Sequence, residues 1–117
     1  MPPRSQLEIN TSSVLRLVKE EASYHQEAVQ QTERIKKLEN EQSEDENREF
    51  LLQQERRALD ETKKVFPSLK KKLHDIVTEL ESLIAEEAAK GSDSNVDQIT
   101  AAKEAIAQAK TAEREVS

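Results

Sequence analysis

The chain has 117 residues, a net charge of −6 and no cysteine. Charged residues make up 36% and aromatic residues 3%, while Leu, Ile, Val and Phe together number only 26, so a thick globular core is excluded. Ala, Glu, Lys, Leu and Arg account for 60 of the 117 residues, the composition of long helices and coiled coils. One glycine and three prolines leave little turn chemistry for a sandwich or barrel.

Without cysteine there is no disulfide framework, thiolate metal site or cysteine nucleophile. Apolar runs such as Phe50-Leu51-Leu52 fall far short of the roughly 20 residues that span a bilayer. Met1-Pro2-Pro3-Arg4-Ser5 leads into no apolar stretch, so neither a signal peptide nor a membrane role is expected. The acidic balance argues against nucleic acid, whose binding depends on neutralising phosphates.

Residues 1–11 read as a short extended tail, with Leu7 and Ile9 in alternation. The hydroxyls of Thr11-Ser12-Ser13 suit an N-cap, so a first helix is expected over residues 12–41. Its apolar positions, Val14, Leu17, Val18, Tyr24, Ala28, Ile35 and Leu38, fall mostly at helical spacing. Ser43 with Glu46 matches a capping box and opens a second helix over residues 46–89.

That second helix carries the strongest pattern in the chain. Leu52, Leu59, Phe66, Leu73 and Leu80 recur every seven residues, with Leu69, Ile76 and Leu83 between them. Two rows at heptad spacing form the seam that a helix buries against partner helices. Glu55 and Thr62 interrupt the second row, and Pro67 predicts a kink near residues 63–67 of one continuous helix. Gly91 suits a helix C-cap, and Ser94 with Asp97 makes a further capping-box match. A third helix is expected over residues 95–113, with a thin face of Val96, Ile99, Ala102, Ile106 and Ala109.

Short connections between such helices predict an all-α fold, an antiparallel up-down-up three-helix bundle of spectrin-like, coiled-coil character. The whole chain, residues 1–117, forms a single domain in this reading. The third helix reaches only the Leu69–Leu83 half of the second, leaving a two-helix hairpin near residues 22–41 and 46–66.

No catalytic or cofactor constellation is present in the sequence. Ala22 and Lys71 stand where a Glu-x-x-His metal motif would need glutamates before His25 and His74. No glycine-rich phosphate loop, His-Glu-x-x-His or Gly-x-Ser-x-Gly occurs. Both histidines read as ordinary partly buried or surface imidazoles, and the chain is expected not to be an enzyme. Charge is more informative. Glu39, Glu41, Glu44, Asp45, Glu46 and Glu49 face Arg48 alone, partly because helix N-termini favour anions. Arg56, Arg57, Lys63, Lys64, Lys70, Lys71 and Lys72 outnumber Asp60 and Glu61, which is either a solvated face or a basic strip for an acidic protein.

Val14, Arg16-Leu17-Val18-Lys19-Glu20, Tyr24, Glu27-Ala28, Gln30-Gln31 and Ile35 closely resemble the first helix of the tubulin-folding cofactor A (tubulin-specific chaperone A) family. Phe66-Pro67, Leu73 and residues 80–86 match that family's proline-kinked second helix, so the resemblance spans roughly residues 8–89. It implies a small cytoplasmic, cytoskeleton-associated three-helix chaperone that captures β-tubulin folding intermediates after chaperonin release and works with other tubulin-folding cofactors. It implies no nucleotide or other cofactor. The matching positions Arg16, Lys19, Glu20, Glu27, Gln30, Gln31 and Glu33 should then point outward towards tubulin. Arg56, Arg57, Lys63 and Lys64 add the local complementarity an acidic partner requires. A second reading, favoured by the heptad seam alone, is a homo-oligomeric coiled-coil scaffold. A monomer and a weak homodimer both fit the sequence.

Overall fold

A computed structural model describes residues 3–41 and 46–116. These residues are helical almost throughout: α1 (Gln6–Asn40), α2 (Glu46–Ala88) and α3 (Val96–Val116), with a 3-10 turn at Gly91–Asp93 before α3. The molecule is a rod of 72 × 28 × 20 Å.

The first helix begins earlier than its hydroxyl run suggests. Ser5, not Thr11, Ser12 or Ser13, is the N-cap: its Oγ accepts from the Glu8 amide, and the Glu8 carboxylate accepts from the Ser5 amide. This reciprocal pair satisfies two otherwise orphaned donors. Residues 6–11 are therefore helix rather than an extended tail, and Leu7 opens the buried row that continues at Val14. Thr11 serves inside the helix, donating from Oγ1 to the Leu7 carbonyl at 2.8 Å. The Ser5–Glu8 capping box, with Leu7 buried two residues on, sets the start.

In α2, Leu52, Leu69, Leu73 and Leu80 are buried, and Leu59, Phe66, Ile76 and Leu83 are half-buried. The two polar interruptions are each satisfied. Thr62 is buried and donates to the Ala58 carbonyl at 3.0 Å, and Glu55 pairs with Arg34 of α1 at 3.5 Å. Pro67 lies inside α2, which is assigned as one helix across it. The expected Ser43 cap lies outside the described residues. Beyond α2, Gly91 adopts φ +62°, a left-handed conformation that glycine enters without a Cβ penalty. The start of α3 also differs from expectation: Asn95 Oδ1, not Ser94, accepts from the Gln98 amide at 3.1 Å, while Ser94 Oγ donates to the Gly91 carbonyl.

The core lies where all three helices meet. Leu7 and Val14 of α1, Leu73 and Leu80 of α2, and Ala102, Ala105, Ile106 and Ala109 of α3 form one buried cluster. Leu73 and Leu80 are 1% and 0% exposed. Burying such a side chain contributes about 1.5–3 kcal/mol relative to leaving it in water. The alanines of α3 add little area each but let that helix approach closely. Val96, expected on this face, is exposed instead, and Ala105 takes its place among the buried positions.

Away from this cluster, the end of α1 lies along the start of α2. Arg56 pairs with Glu39 at 3.6 Å, Arg48 donates from Nε to the Leu38 carbonyl at 2.7 Å, and His25 stacks on Phe66. Ile35 and Leu52 are the buried apolar residues of this half. The first turn of α3 sits beside the start of α1, where Ser5 Oγ donates to Gln98 Oε1 at 2.9 Å.

Candidate partner-binding surface

The packing of α1 against α2 exposes two long flanks, one on each side of their shared seam. On one flank Arg16, Lys19, Glu20 and Ser23 of α1 face Lys72, Asp75 and Glu79 of α2 across an open groove of about 1030 Å³ with Leu17 and Ile76 among its lining. Along the same side of α1, Ser23, Gln26, Glu27, Gln30 and Arg34 form a polar patch. On the opposite flank Glu33 and Lys63 line a second groove of about 520 Å³. Helical geometry explains the division. Residues 16, 20, 23, 27, 30 and 34 follow one stripe at steps of three and four, and residues 25, 29, 32 and 36 follow another.

The residues singled out from sequence therefore divide between these flanks instead of forming one face. Arg16, Lys19, Glu20, Glu27 and Gln30 are exposed together on the first side, and Glu33 and Lys63 are exposed on the second. Arg57 is exposed. Arg56 and Lys64 are exposed too, but each already has an ion-pair partner, Glu39 and Asp60 respectively, the latter at 3.7 Å. Such exposed pairs contribute little, about 0–1 kcal/mol, so a charged partner can displace them cheaply.

Gln31 is the exception. It is only 4% exposed and turns into the seam, where its Oε1 has no hydrogen-bond partner, so its expected outward orientation is corrected. The cause is the phase of the buried rows: with Leu7, Val14, Ala28 and Ile35 setting the seam, position 31 falls on its second row. Glu21 falls on the first row and is 2% exposed, with neither carboxylate oxygen hydrogen-bonded. A buried carboxylate and a buried amide oxygen without partners oppose folding.

Of the charged residues on the first groove's α2 wall only Lys72 was singled out from sequence, in the basic strip; Asp75 and Glu79, and Val29 and Lys36 of the second groove, were not. Their signal was available in the i, i+3, i+4 spacing of polar positions beside the apolar rows. Among the described residues, no cluster of His, Cys, Asp or Glu could hold a metal ion. Among the described residues no helix is long and apolar enough to cross a membrane.

Residues 2–106 match the family model described as tubulin binding cofactor A. The chain is 31% identical over 86 residues to tubulin-specific chaperone A of Mus musculus, covering 74% of this chain and 76% of the relative. It is 32% identical over 80 residues to tubulin-specific chaperone A of Saccharomyces cerevisiae, covering 68% and 73%. No solved structure matches the chain. With nearly the whole rod inside the matched region, this chain belongs to the tubulin binding cofactor A family.

Proposed function

We propose that the protein is a non-catalytic, cytoplasmic tubulin-folding chaperone that captures β-tubulin folding intermediates after chaperonin release, with other tubulin-folding cofactors as further partners. The observation that carries this reading is the family match over residues 2–106. The rod suits the task physically: its helices hold charged and amide side chains on two long open flanks, with some apolar residues still reachable in the grooves between them. Binding requires no cofactor.

In this reading the chain is a single domain with helices running up, down and up, α2 bending at Pro67. The pairings Glu39–Arg56, Arg34–Glu55 and His25–Phe66 favour opposite directions for α1 and α2, and Ser5–Gln98 favours a common direction for α1 and α3. Arg16, Lys19, Glu20, Glu27, Gln30, Glu33, Arg56, Arg57, Lys63 and Lys64 supply the tubulin contacts. Buried Gln31 contributes through the shape of the seam, not by direct contact.

The test is a tubulin pull-down combined with light scattering. The chaperone reading expects nucleotide-independent capture of β-tubulin by a monomer or weak dimer. Reversing Arg56, Arg57, Lys63 and Lys64 to Glu should weaken capture while leaving helicity intact. Capture should also fall with rising salt, since exposed charges are screened beyond about 8–10 Å. A stable oligomer that ignores tubulin would establish the coiled-coil scaffold instead.

A further inference from the structure

The line of α3 does not end at a closed surface. At its start α3 borders Glu8, Thr11 and Ser12 of α1, and near its end Ala109, Lys110 and Glu113 border His74, Val77 and Thr78 of α2. Following those two stripes towards the hairpin, at steps of three and four residues, leads on α1 to His25, Val29, Thr32 and Lys36, and on α2 to Lys63. These are residues of the second groove, with Ala28 and Leu59 also in its lining. The trough that seats α3 thus continues past it, uncovered by the described residues.

Three features show what the continuation is built to take. Its lining mixes the small Ala28, the 57% exposed Val29 and half-buried Leu59, an apolar strip of the kind α3 covers elsewhere. The buried Nε2 of His25 borders the same groove and has no hydrogen-bond partner. Its charged groups are two lysines against one acid: Lys63 on the α2 rim, and Lys36 with Glu33 on the α1 rim, with neither lysine in an ion pair among the described residues.

We propose that this groove is a docking site for an amphipathic α-helix with acidic flanks, presented by the protein partner, which extends the line of α3 along the hairpin. The inference rests on the reading above that the chain binds a protein, and it names the structural class of segment recognised. Apolar residues at i, i+3, i+4 and i+7 of the incoming helix cover Val29 and Leu59, as in other helix-in-groove complexes. Acidic side chains on either edge meet Lys36 and Lys63.

The absence of cysteine makes the test direct. Val29→Cys and, on the other flank, Ser23→Cys each give a full-length chain with one thiol for an environment-sensitive dye. Two synthetic peptides of about 18 residues serve as probes, with the same Leu/Ala stripe and either Glu or Lys on both edges. The Glu peptide should shift the Val29 dye to shorter wavelength, leave the Ser23 dye unchanged, and bind at least about tenfold more tightly than the Lys peptide. Lys36→Glu with Lys63→Glu, checked for unchanged helicity, should reverse that order.

Equal affinity for the two peptides, or a response at Ser23 with silence at Val29, overturns the proposal. So does a Val29 shift that depends only on protein concentration, which would assign the groove to a second copy of the chain. Tubulin capture is measured separately on the same variants. If the Glu peptide docks but tubulin is not captured, the groove stands and the tubulin reading fails. If tubulin is captured while neither peptide docks, the reverse holds.

Discussion

The imidazole of His25 lies flat on the ring of Phe66, with centroids 4.1 Å apart and planes 15° from parallel. This stack joins α1 to α2 next to Pro67, at the level where the apolar core has given way to Gln31, Thr62 and other polar seam residues. The stack is notable in a chain with only two Phe and one Tyr. Replacing Phe66 with Leu keeps apolar bulk but removes the stack, and should cost about 0.5–1.5 kcal/mol in urea unfolding. An unchanged midpoint would show that Phe66 acts as bulk alone.

Leu73 and Leu80 carry the three-helix core. Either changed to Ala should lose about 2–5 kcal/mol, because a cavity opens against Val14 and the alanines of α3, which have no longer side chain to fill it. With total stability of about 5–15 kcal/mol, each variant should melt well below the parent or fail to fold. Leu51→Ala, at an exposed position, is the control and should melt like the parent.

Glu21 should be a site of easy stabilisation. Its carboxylate is buried with neither oxygen hydrogen-bonded, and removing an unsatisfied buried polar group recovers about 1–3 kcal/mol. Glu21→Leu should therefore raise the melting temperature, by about 4–8 °C per kcal/mol for a chain near 100 residues. A lower melting temperature would reveal a partner that the carboxylate holds in solution.

The start of α1 is tested at Ser5. Ser5→Ala removes the acceptor for the Glu8 amide and the donor to Gln98, and should cost about 0.5–2 kcal/mol. Amide exchange should speed up over residues 6–11. Ser13→Ala, within the helix, should leave both measurements unchanged.

Much of the rod was legible in the residues themselves. The heptad row from Leu52 to Leu80 marks α2 and its buried face, because side chains seven apart return to the same side of a helix wherever that helix packs. Gly91 marks the turn before α3 for an equally local reason, since glycine enters its left-handed φ without the Cβ penalty most other residues meet. The motif of helix 1, Arg16-Leu17-Val18-Lys19-Glu20 with Gln30-Gln31, carries the family assignment that the wider match supports.

Other features depended on what each residue meets across the bundle. The Thr11-Ser12-Ser13 run suggested a start that α1 does not use; the helix begins at Ser5 instead, which brings Leu7 into the cluster with Leu73, Leu80 and α3, distant in sequence. Gln31 and Glu21 are polar by composition and would be placed outside by any local rule. They lie inside because Val14 and Ile35 fix the rotation of α1 about its axis, and a rigid helix carries every intervening residue with it. The same rotation sends Arg16, Lys19 and Glu20 to one flank and Glu33 to the other, and it lines up His25, Val29 and Lys36 with the seat of α3. Periodicity along the chain determined which residues share a stripe. Only packing between helices decided which stripe is buried, which is covered by α3 and which stays open, because burial is a property of pairs of surfaces and not of either one alone.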